Sequence, residues 1–392
     1  MIAEAPELCD TVLRREAEDA SGLSDWGPAG FAANLGLLLE SCRATASLTP
    51  AGWDVLHKVV VRHLRNQLYV QAFLTTRGGC WPTGDHPLEA PLVITGLPRT
   101  GTTLLHHLLA LDPANRVLRV WEALQPVPAG GAAGRAERIR RSQAWLEGMY
   151  AMAPGFRAIH PLTAAGPQEC DALLQNTFAS QHWDDMFRAE RYSAWLNDAE
   201  LADEYRYLAR QLAVLSSADD PATGARSWVL KSPSHLGYLD TVARTFPGAT
   251  IVFCHRDPAE AVASYASLVA TVRSPQAASM TPESVGAHVL LRCSVAMRRA
   301  LAARYGLGEQ RFVDVAYRSL VADPLRAVRQ LYARVGRSVT PELAGAISSW
   351  VAANPQRRFG AHSYNLEQFG LDAARIDAAL EGYTARFEAE DP

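Results

Sequence analysis

The sequence lacks any uninterrupted apolar run of the roughly 20 residues that a membrane-spanning helix needs. Its nearest approach, residues 55–74, is broken by three basic residues and two histidines. The N-terminal residues MIAEAPELCD include acidic side chains and do not show the basic and then apolar order of a secretory signal. The sequence therefore predicts a protein with no membrane span and no leader, and we expect a cytoplasmic location.

Cysteine is also scarce, and the sequence has little that would hold a metal ion. Six cysteines occur in 392 residues and none forms a C-x-x-C pair, which favours buried, reduced thiols over disulfides. No carboxylate cluster fits Mg²⁺, and no cysteine–histidine set has the spacing of a zinc site. His106 and His107 are adjacent on a predicted helix, where neighbouring side chains point about 100° apart, so they are expected to be structural. We therefore expect no metal cofactor.

Neither sign of charge is in large excess. The formal net charge is −3, and the fractions of charged (20%) and hydrophobic (48%) residues are those of a soluble globular protein. A nearly neutral chain argues against nucleic acid as a general partner. It leaves room for a local basic pocket that binds a polyanionic nucleotide.

The first 90 residues predict helices and carry no recognisable chemistry. Thr49 and Pro50 fit the N-cap and first position of one of these helices. Glycines and prolines between Gly78 and Pro87 then break the chain, so residues 1–90 are predicted to be a helical N-terminal extension and residues 91–392 a second domain. Within that domain, residues from about 125 to 227 are predicted to be a helical insertion rich in aromatic side chains. The N-terminal helices offer a surface through which a homo-oligomer could form.

Residues 91–111, PLVITGLPRTGTTLLHHLLAL, combine a short apolar run, a loop rich in glycine and threonine, and leucines on one face of a helix. They predict a buried strand, a tight loop and a helix. Such a loop directs backbone N–H groups and the positive end of a helix dipole into one small space, which suits a phosphate group.

The loop nearly matches the motif that binds nucleoside triphosphates. Gly96 and Gly101 have the required spacing and Thr103 holds the hydroxyl position, but Thr102 occupies the position of the lysine. Without that lysine, ATP chemistry loses its main cation, and the positive charge lies instead at Arg99 within the loop. The pattern therefore predicts a cradle for one 5′-phosphate, with a cation beside the group attached to it.

Further strands are predicted at residues 228–230, 250–254 and 311–315, and helices follow each of them. This alternation predicts an α/β fold, a P-loop-like, mainly parallel sheet flanked by helices. Ligands of open sheets of this kind bind where the strands end. Lys231 and Arg256 stand at two such ends and the Arg99 loop at a third, so we expect these cations to converge.

PRTGTT resembles the 5′-phosphosulfate loop of the sulfotransferases that use 3′-phosphoadenosine-5′-phosphosulfate (PAPS), and residues 228–268 resemble the bacterial branch of that family. The resemblance implies transfer of a sulfuryl group from PAPS to a hydroxyl or amine of a small-molecule acceptor, with release of 3′-phosphoadenosine-5′-phosphate. Phenols, sterols, glycolipids, polyketide alcohols and amines all remain open as acceptors. It also implies that residues 91–392 form the sulfotransferase catalytic domain, with the insertion on the acceptor side.

The same resemblance implies roles for individual residues. The residues expected to bind the nucleotide are those of the loop, the pair at the 3′-phosphate and the tyrosine at the adenine: Arg99, Thr100, Gly101, Thr102, Thr103, Arg256, Ser264 and Tyr317. Lys231 matches a catalytic lysine that touches the sulfuryl group and the leaving oxygen, where a fixed cation lowers the barrier, and Arg99 can share that role. Arg357 and Arg358 match a basic nucleotide-binding segment only in part.

The acceptor hydroxyl also needs a base, for which the sequence offers two main candidates. Glu122 follows the loop helix much as a glutamate does in tyrosylprotein sulfotransferases. His235 resembles the histidine that follows the lysine in cytosolic sulfotransferases. We expect Glu122 to lie near Arg99 and Lys231 and to act as the base, with His235 as a helper. Glu169 and the pair at 184 and 185 are expected to be solvated acids on helix faces.

Two other functions are compatible with a phosphate-binding loop. One is a P-loop nucleotide kinase, which Thr102 in place of lysine and the lack of a Mg²⁺ set disfavour. The other is a catalytically inactive protein that binds nucleotide at the PAPS site, against which the retained cations and Ser264 argue.

Overall fold

The computed structural model describes residues 8–27, 30–76, 88, 90–128, 130–219, 226–355 and 365–387. These residues form a helix-rich α/β protein built on a sheet of five parallel strands, so the predicted fold class is confirmed. In chain order the strands are β1 Leu92–Gly96, β2 Asn115–Arg116, β3 Ser227–Lys231, β4 Thr250–His255 and β5 Phe312–Ala316.

Helices precede the sheet, separate its strands and end the described chain. Those before β1 are α1 Asp10–Ser21, α2 Phe31–Thr45 and α3 Pro50–Thr76. Those between β1 and β3 are α4 Thr102–Leu109, α5 Val120–Leu124, α6 Gly131–Met152, α7 Pro154–Ile159, α8 Asp171–Leu174, α9 Gln181–Phe187, α10 Glu190–Asp198 and α11 Ala202–Ser216. Those after β3 are α12 Leu239–Thr245, α13 Pro258–Arg273, α14 Pro282–Leu307, α15 Tyr317–Ala322, α16 Pro324–Arg334, α17 Pro341–Ala353, α18 Ala373–Ala379 and α19 Glu381–Phe387.

The strand order in the sheet is β2-β3-β1-β4-β5, which places β1 at its centre. Leu92 of β1 pairs with Val229 of β3 on one side and with Thr250 of β4 on the other. All residues of β1 are buried, as expected for a strand that helices cover on both faces. Because the strands run parallel, their carboxyl ends lie at the same edge of the sheet, and the loop after β1 opens there.

Side-chain caps fix the starts of two helices that the sequence predicts. α3 begins at Pro50, and Thr49 Oγ1 accepts the backbone N–H of Gly52 at 3.0 Å. α13 begins at Pro258, and Asp257 Oδ1 accepts the N–H of Glu260 at 2.9 Å. Proline has no backbone N–H, but at the first position of a helix that N–H would have no partner within the helix, so proline is tolerated there. The cap at Asp257 therefore holds the turn between β4 and α13.

The N-terminal helices share the largest buried cluster with the helices of residues 125–227 and with the sheet. His63 Nδ1 of α3 lies 2.7 Å from Asn176 Oδ1, and Gln67 donates to the carbonyl oxygen of Asn176 at 2.6 Å. The rings of Phe31 and Phe178 have centroids 6.2 Å apart. Helices α1–α3 are thus built into the core around the sheet. Members of the cluster from all three regions include Leu35, Leu56, Val93, Phe178, Trp183, Tyr205 and Leu230.

The described residues show the lengths of the helices and the state of the cysteines. No helix within them is long and apolar enough to cross a membrane. The cysteines among them are all free thiols, and Cys42, Cys170, Cys254 and Cys293 are buried while Cys9 is exposed. Cys80 lies outside the described residues.

Candidate active site

The loop between β1 and α4 has a backbone that requires glycine at two positions. Gly96 (φ 147°) approaches β4 so closely that a Cβ would lie 2.3 Å from the carbonyl oxygen of Cys254. A Cβ at Gly101 (φ 88°) would lie 2.9 Å from the ring of Tyr317. The loop leads into the N-terminus of α4, where unpaired N–H groups and the helix dipole favour an anion. This geometry is that of a phosphate cradle.

Residues 99–102 hold the backbone of the loop in a defined conformation. Thr100 Oγ1 donates to the carbonyl oxygen of Leu97 at 2.7 Å, and Thr102 is buried as the first residue of α4. Arg99 has a φ of 74°, in the left-handed region that side chains other than glycine rarely adopt. Strain of this kind is concentrated at functional sites, where the surrounding structure holds it in place.

The Arg99 side chain connects the loop to two helices. Its Nε donates to Ser264 Oγ on α13 at 3.1 Å, and its Nη1 donates to the carbonyl oxygen of Ile159 at the end of α7 at 3.3 Å. The cation expected inside the loop and the hydroxyl expected at the 3′-phosphate are therefore in direct contact.

The side chain of Arg256 contacts the backbone of the same loop. Its Nη1 donates to the carbonyl oxygen of Arg99 at 2.9 Å, while its Nε and Nη2 lie 3.0 and 2.7 Å from Glu260 Oε2. The guanidinium carbon lies 4.3 Å from the centroid of the Tyr317 ring, which in turn packs on Gly101. The predicted nucleotide-binding residues thus form one continuous group around the loop.

Lys231, the last residue of β3, belongs to a buried ion pair that contacts the loop helix. Its Nζ donates to Thr103 Oγ1 at 3.0 Å and also to Glu169 Oε1. The two charged side chains are only 2% and 13% exposed. Burial raises the pKa of Glu169, but the charges of Lys231 and His182 more than offset it and lower the pKa to about 2. An ionised carboxylate therefore lies against the lysine at the mouth of the loop.

A histidine links Glu169 to a second acid. His182 Nε2 lies 3.8 Å from Glu169 Oε2, and His182 Nδ1 lies 3.3 Å from Asp171 Oδ2. Burial lowers the pKa of His182, but the carboxylates of Asp171 and Glu169 outweigh it, so the net pKa is raised. The two carboxylates therefore stabilise the protonated form of this imidazole relative to burial alone.

Glu122 is bound by an arginine and a backbone N–H that are close to it in the chain. Its carboxylate oxygens lie 2.5 and 2.9 Å from the two Nη atoms of Arg116, and Oε2 also accepts the backbone N–H of Arg119 at 2.9 Å. Arg116 belongs to the edge strand β2, and the bond to Arg119 makes Glu122 part of the capping box that begins α5. Arg116, six residues earlier, thus engages both oxygens of Glu122, and the assignment of Glu122 as the base stays a prediction.

His235 is enclosed by protein groups rather than open to an acceptor. Its Nε2 lies 3.0 Å from Cys170 Sγ and its Nδ1 lies 2.8 Å from the hydroxyl of Tyr205, and burial lowers its pKa to about 4. Cys170 donates to the carbonyl oxygen of Lys231 through its backbone N–H at 3.0 Å and through Sγ at 3.2 Å. His235 thus supports the backbone of Lys231 through Cys170.

The acids at 184 and 185 are not solvated as the sequence analysis expects. Asp184 is fully buried, and its Oδ2 lies 2.5 Å from His288 Nε2 and 3.1 Å from Arg292 Nη1. Arg292 also contacts Asp185 at 2.6 Å. This cluster ties α9 to α14, so the two acids have structural partners.

The structure brings most of the predicted site residues together and adds two others, one that the sequence analysis ranks low and one that it does not consider. Those that meet are Arg99, Thr103, Lys231, Arg256, Ser264 and Tyr317. Glu169 and His182 are the additions. A signal for Glu169 existed, because Gly166 and Pro167 precede it and disfavour the helix face to which it was assigned.

Among the residues that the structure describes, no group of three or more histidine, cysteine or acidic side chains is placed to hold a metal ion. His107 stacks on Trp350, with ring centroids 5.4 Å apart, and His106 is buried within α4. Arg357 and Arg358 lie outside the described residues.

Comparison with known proteins identifies the family of this chain. A family model described as "Sulfotransferase family" matches residues 91–341, which include the loop and all five strands. Among solved structures, the sulfotransferase STF1 from Mycobacterium tuberculosis H37Rv is 27% identical with a TM-score of 0.83, over 97% of this chain and 99% of that chain. The sulfotransferase STF9 from Mycobacterium avium is also 27% identical, with a TM-score of 0.82 over 96% of each chain. No curated protein has a significantly matching sequence. The family match covers more than half of the chain, and the chain therefore belongs to the sulfotransferase family.

Proposed function

We propose that this protein transfers the sulfuryl group of PAPS to a hydroxyl or amine of a small-molecule acceptor. The observation that carries the proposal is the contact of Lys231 with both Thr103 of the loop helix and Glu169. Sulfuryl transfer requires a phosphate cradle, a cation at the leaving oxygen and a base for the acceptor proton. These contacts put a candidate for each requirement within one buried cluster.

The residues around the loop fit an adenosine nucleotide that carries phosphate at both ends. The backbone from Gly96 to Gly101 and the start of α4 would hold the 5′-phosphate. Arg256 and Ser264 would hold the 3′-phosphate, because a guanidinium binds phosphate as a fork and a hydroxyl adds a further donor. Tyr317, stacked on Arg256, would face the adenine. PAPS supplies the activated sulfuryl group, and the chain supplies its position.

Lys231 and Arg99 would stabilise the charge that grows on the leaving 5′-phosphate oxygen. Both are held in place before substrate binds, Lys231 by Thr103 and Arg99 by Ser264. Donors that are fixed in advance stabilise a transition state without reorganisation, and removal of one such donor costs about 10²–10³ in rate.

We assign the base role to Glu169 rather than to Glu122. Glu169 is ionised and lies against Lys231, whereas Glu122 has both oxygens bound by Arg116. The hydroxyl of the acceptor becomes more acidic as its oxygen bonds to sulfur, so a carboxylate of low pKa can accept the proton at that stage. An anion bound at the loop would also compete for Lys231 Nζ, which raises the pKa of Glu169 and makes it a stronger base.

A screen of acceptors with isotope-labelled PAPS tests the proposed function. Phenols, sterols, glycolipids and amines are incubated with the protein, and products are detected by the mass of the labelled sulfuryl group. Calorimetry in parallel should show that 3′-phosphoadenosine-5′-phosphate binds more tightly than ATP with Mg²⁺. Tighter binding of ATP with Mg²⁺, together with phosphoryl transfer, would assign the site to a kinase instead.

A further inference from the structure

A long groove lies between α3 and the α5–α6 region, apart from the candidate active site. It consists of two adjoining cavities of about 720 and 780 Å³, which share Phe73, Gly130 and Arg138 in their walls. Five arginines line the first cavity and four line the second, and Arg138 belongs to both, so the groove has eight arginines in all. Its walls contain only three carboxylates, those of Glu122, Glu137 and Asp219. The groove is therefore strongly cationic in a chain whose net charge is −3. The groove is lined neither by the residues proposed to bind PAPS nor by Lys231 or its partner Glu169.

Arg62, Arg65 and Arg138 each stack on an aromatic ring, as Arg116 of the same groove also does on Trp228. The guanidinium carbon of Arg62 lies 4.9 Å from the ring centroid of Trp145, that of Arg65 lies 5.8 Å from Tyr69, and that of Arg138 lies 4.5 Å from Trp121. Stacking covers one face of each guanidinium. Arg62 Nη2 lies 3.1 Å from His63 Nε2 and Arg65 Nη2 donates to the hydroxyl of Tyr69 at 3.1 Å, so the remaining N–H groups of each edge are the ones that could bind an anion in the plane.

Within the described part of the chain, these three arginines have no carboxylate at ion-pair distance, and the Nε of each is buried without a hydrogen-bond partner. Arg138 is only 8% exposed, and its Nη2 donates to the carbonyl oxygen of Gln125. By contrast, Arg116 and Arg226 in the same groove are held by Glu122 and by Asp219. Among the groove arginines that the structure describes, these three are thus set apart by a buried Nε atom that has no hydrogen-bond partner.

Leaving buried cations unpaired is costly, because burial removes their hydration without a compensating charge. Burial lowers the pKa of Arg62 to about 10. Burial also lowers the pKa of Arg138, a shift that the more distant Glu122 only partly offsets. An anion bound from solution would supply the missing charge. The walls beside these arginines include Phe73, Leu124 and Val127, which suit an apolar body.

We propose that this groove binds a small organic anion with an apolar body, with its anionic group on Arg62, Arg65 and Arg138 and its apolar part along Phe73 and Leu124. The site is separate from the PAPS site and does not depend on sulfuryl transfer. The proposal also gives Glu122 a structural role, because its carboxylate holds Arg116 in the wall of the groove.

Binding of dodecanoate by the full chain tests the site, with dodecanamide as a neutral probe of the same length. Titrations are followed by calorimetry and by tryptophan fluorescence, in the presence of saturating 3′-phosphoadenosine-5′-phosphate to fill the nucleotide site. Dodecanoate should bind at least about tenfold more tightly than dodecanamide, because charged hydrogen bonds contribute only with the carboxylate. Arg62→Gln combined with Arg138→Gln should abolish that difference, whereas Arg329→Gln, an exposed change of equal charge on α16, should leave it intact.

Three results would overturn the proposal. They are equal binding of the two probes, discrimination that survives in the double variant, and displacement of dodecanoate by the nucleotide. If the double variant does not fold, Arg65→Gln alone is used, since that side chain is half-buried, and it should weaken dodecanoate binding at least several-fold without affecting dodecanamide. All of these measurements are independent of whether the protein transfers sulfuryl groups.

Discussion

Glu169→Gln and Glu122→Gln form a matched pair of substitutions that separates a catalytic carboxylate from a structural one. Each removes one negative charge and keeps the shape of the side chain. Each also breaks a buried ion pair, that of Glu169 with Lys231 or that of Glu122 with Arg116, whose side chains are 2–13% exposed. The two variants therefore share a structural penalty, and they differ in their surroundings: Glu169 lies against Lys231, whereas Glu122 lies against Arg116 and caps α5.

The expected magnitudes follow from this difference. Removing one partner of a buried ion pair costs about 3–5 kcal/mol of folding free energy. Glutamine keeps one acceptor oxygen, so each substitution should cost about 3 kcal/mol or less. A positioned general base contributes about 10²–10⁴ in rate. Turnover should therefore fall by that factor for Glu169→Gln, and by less than about tenfold for folded Glu122→Gln.

The assay is the initial rate at saturating PAPS and acceptor, after thermal unfolding has identified a temperature at which both variants are folded. Calorimetry with 3′-phosphoadenosine-5′-phosphate checks that each variant still binds nucleotide. The reasoning is refuted if Glu122→Gln loses more turnover than Glu169→Gln while both bind nucleotide, since the base role would then return to Glu122. Normal turnover by Glu169→Gln would equally remove Glu169 from the mechanism.

Three further predictions concern the same cluster. Lys231→Ala should lower turnover by about 10²–10³ and weaken nucleotide binding much less, because the charge it meets develops in the transition state; equal losses in both would make it a binding residue. Arg256→Ala should erase most of the preference for 3′-phosphoadenosine-5′-phosphate over AMP, about 1.5–3 kcal/mol by calorimetry, and an unchanged preference would move the 3′-phosphate elsewhere. The pKa of Glu169 is lowered from an ordinary 4.5 to about 2, so its stabilising effect is complete above about pH 4.5 and is lost as the pH falls toward 2. The unfolding temperature of the wild type should therefore fall more steeply across that interval than that of Glu169→Gln, and parallel curves would contradict the lowered pKa.

The sheet and the cations at its edge could be predicted because their signals are local. β1, β3, β4 and β5 each show an apolar run followed by a break, and parallel strands necessarily end at one edge. Knowing that edge is enough to bring Arg99, Lys231 and Arg256 together without knowing any other contact. The starts of α3 and α13 were equally local, since a capping side chain and a proline mark each of them.

The proposed base, Glu169, could not be predicted because its position depends on contacts between distant parts of the chain. β2 has only two residues, too few to show periodicity, yet it brings Arg116 to Glu122. Glu169 reaches Lys231, 62 residues later, because the backbone N–H of Cys170 bonds to the carbonyl oxygen of Lys231. A carboxylate that meets its partner through such pairing carries no periodic signal of its own.

The bonds from His63 and Gln67 to Asn176 have a consequence for dissecting this protein. The family match begins at residue 91, which suggests a natural place to cut the chain. A fragment starting there would remove the His63 partner of the Asn176 side chain and the Gln67 partner of its backbone carbonyl, and it would uncover Phe178 and Trp183. We expect such a fragment to aggregate on expression. In homologous sequences, positions 63 and 176, whose side chains meet, should change in concert, so covariation between them would record the same dependence over evolutionary time.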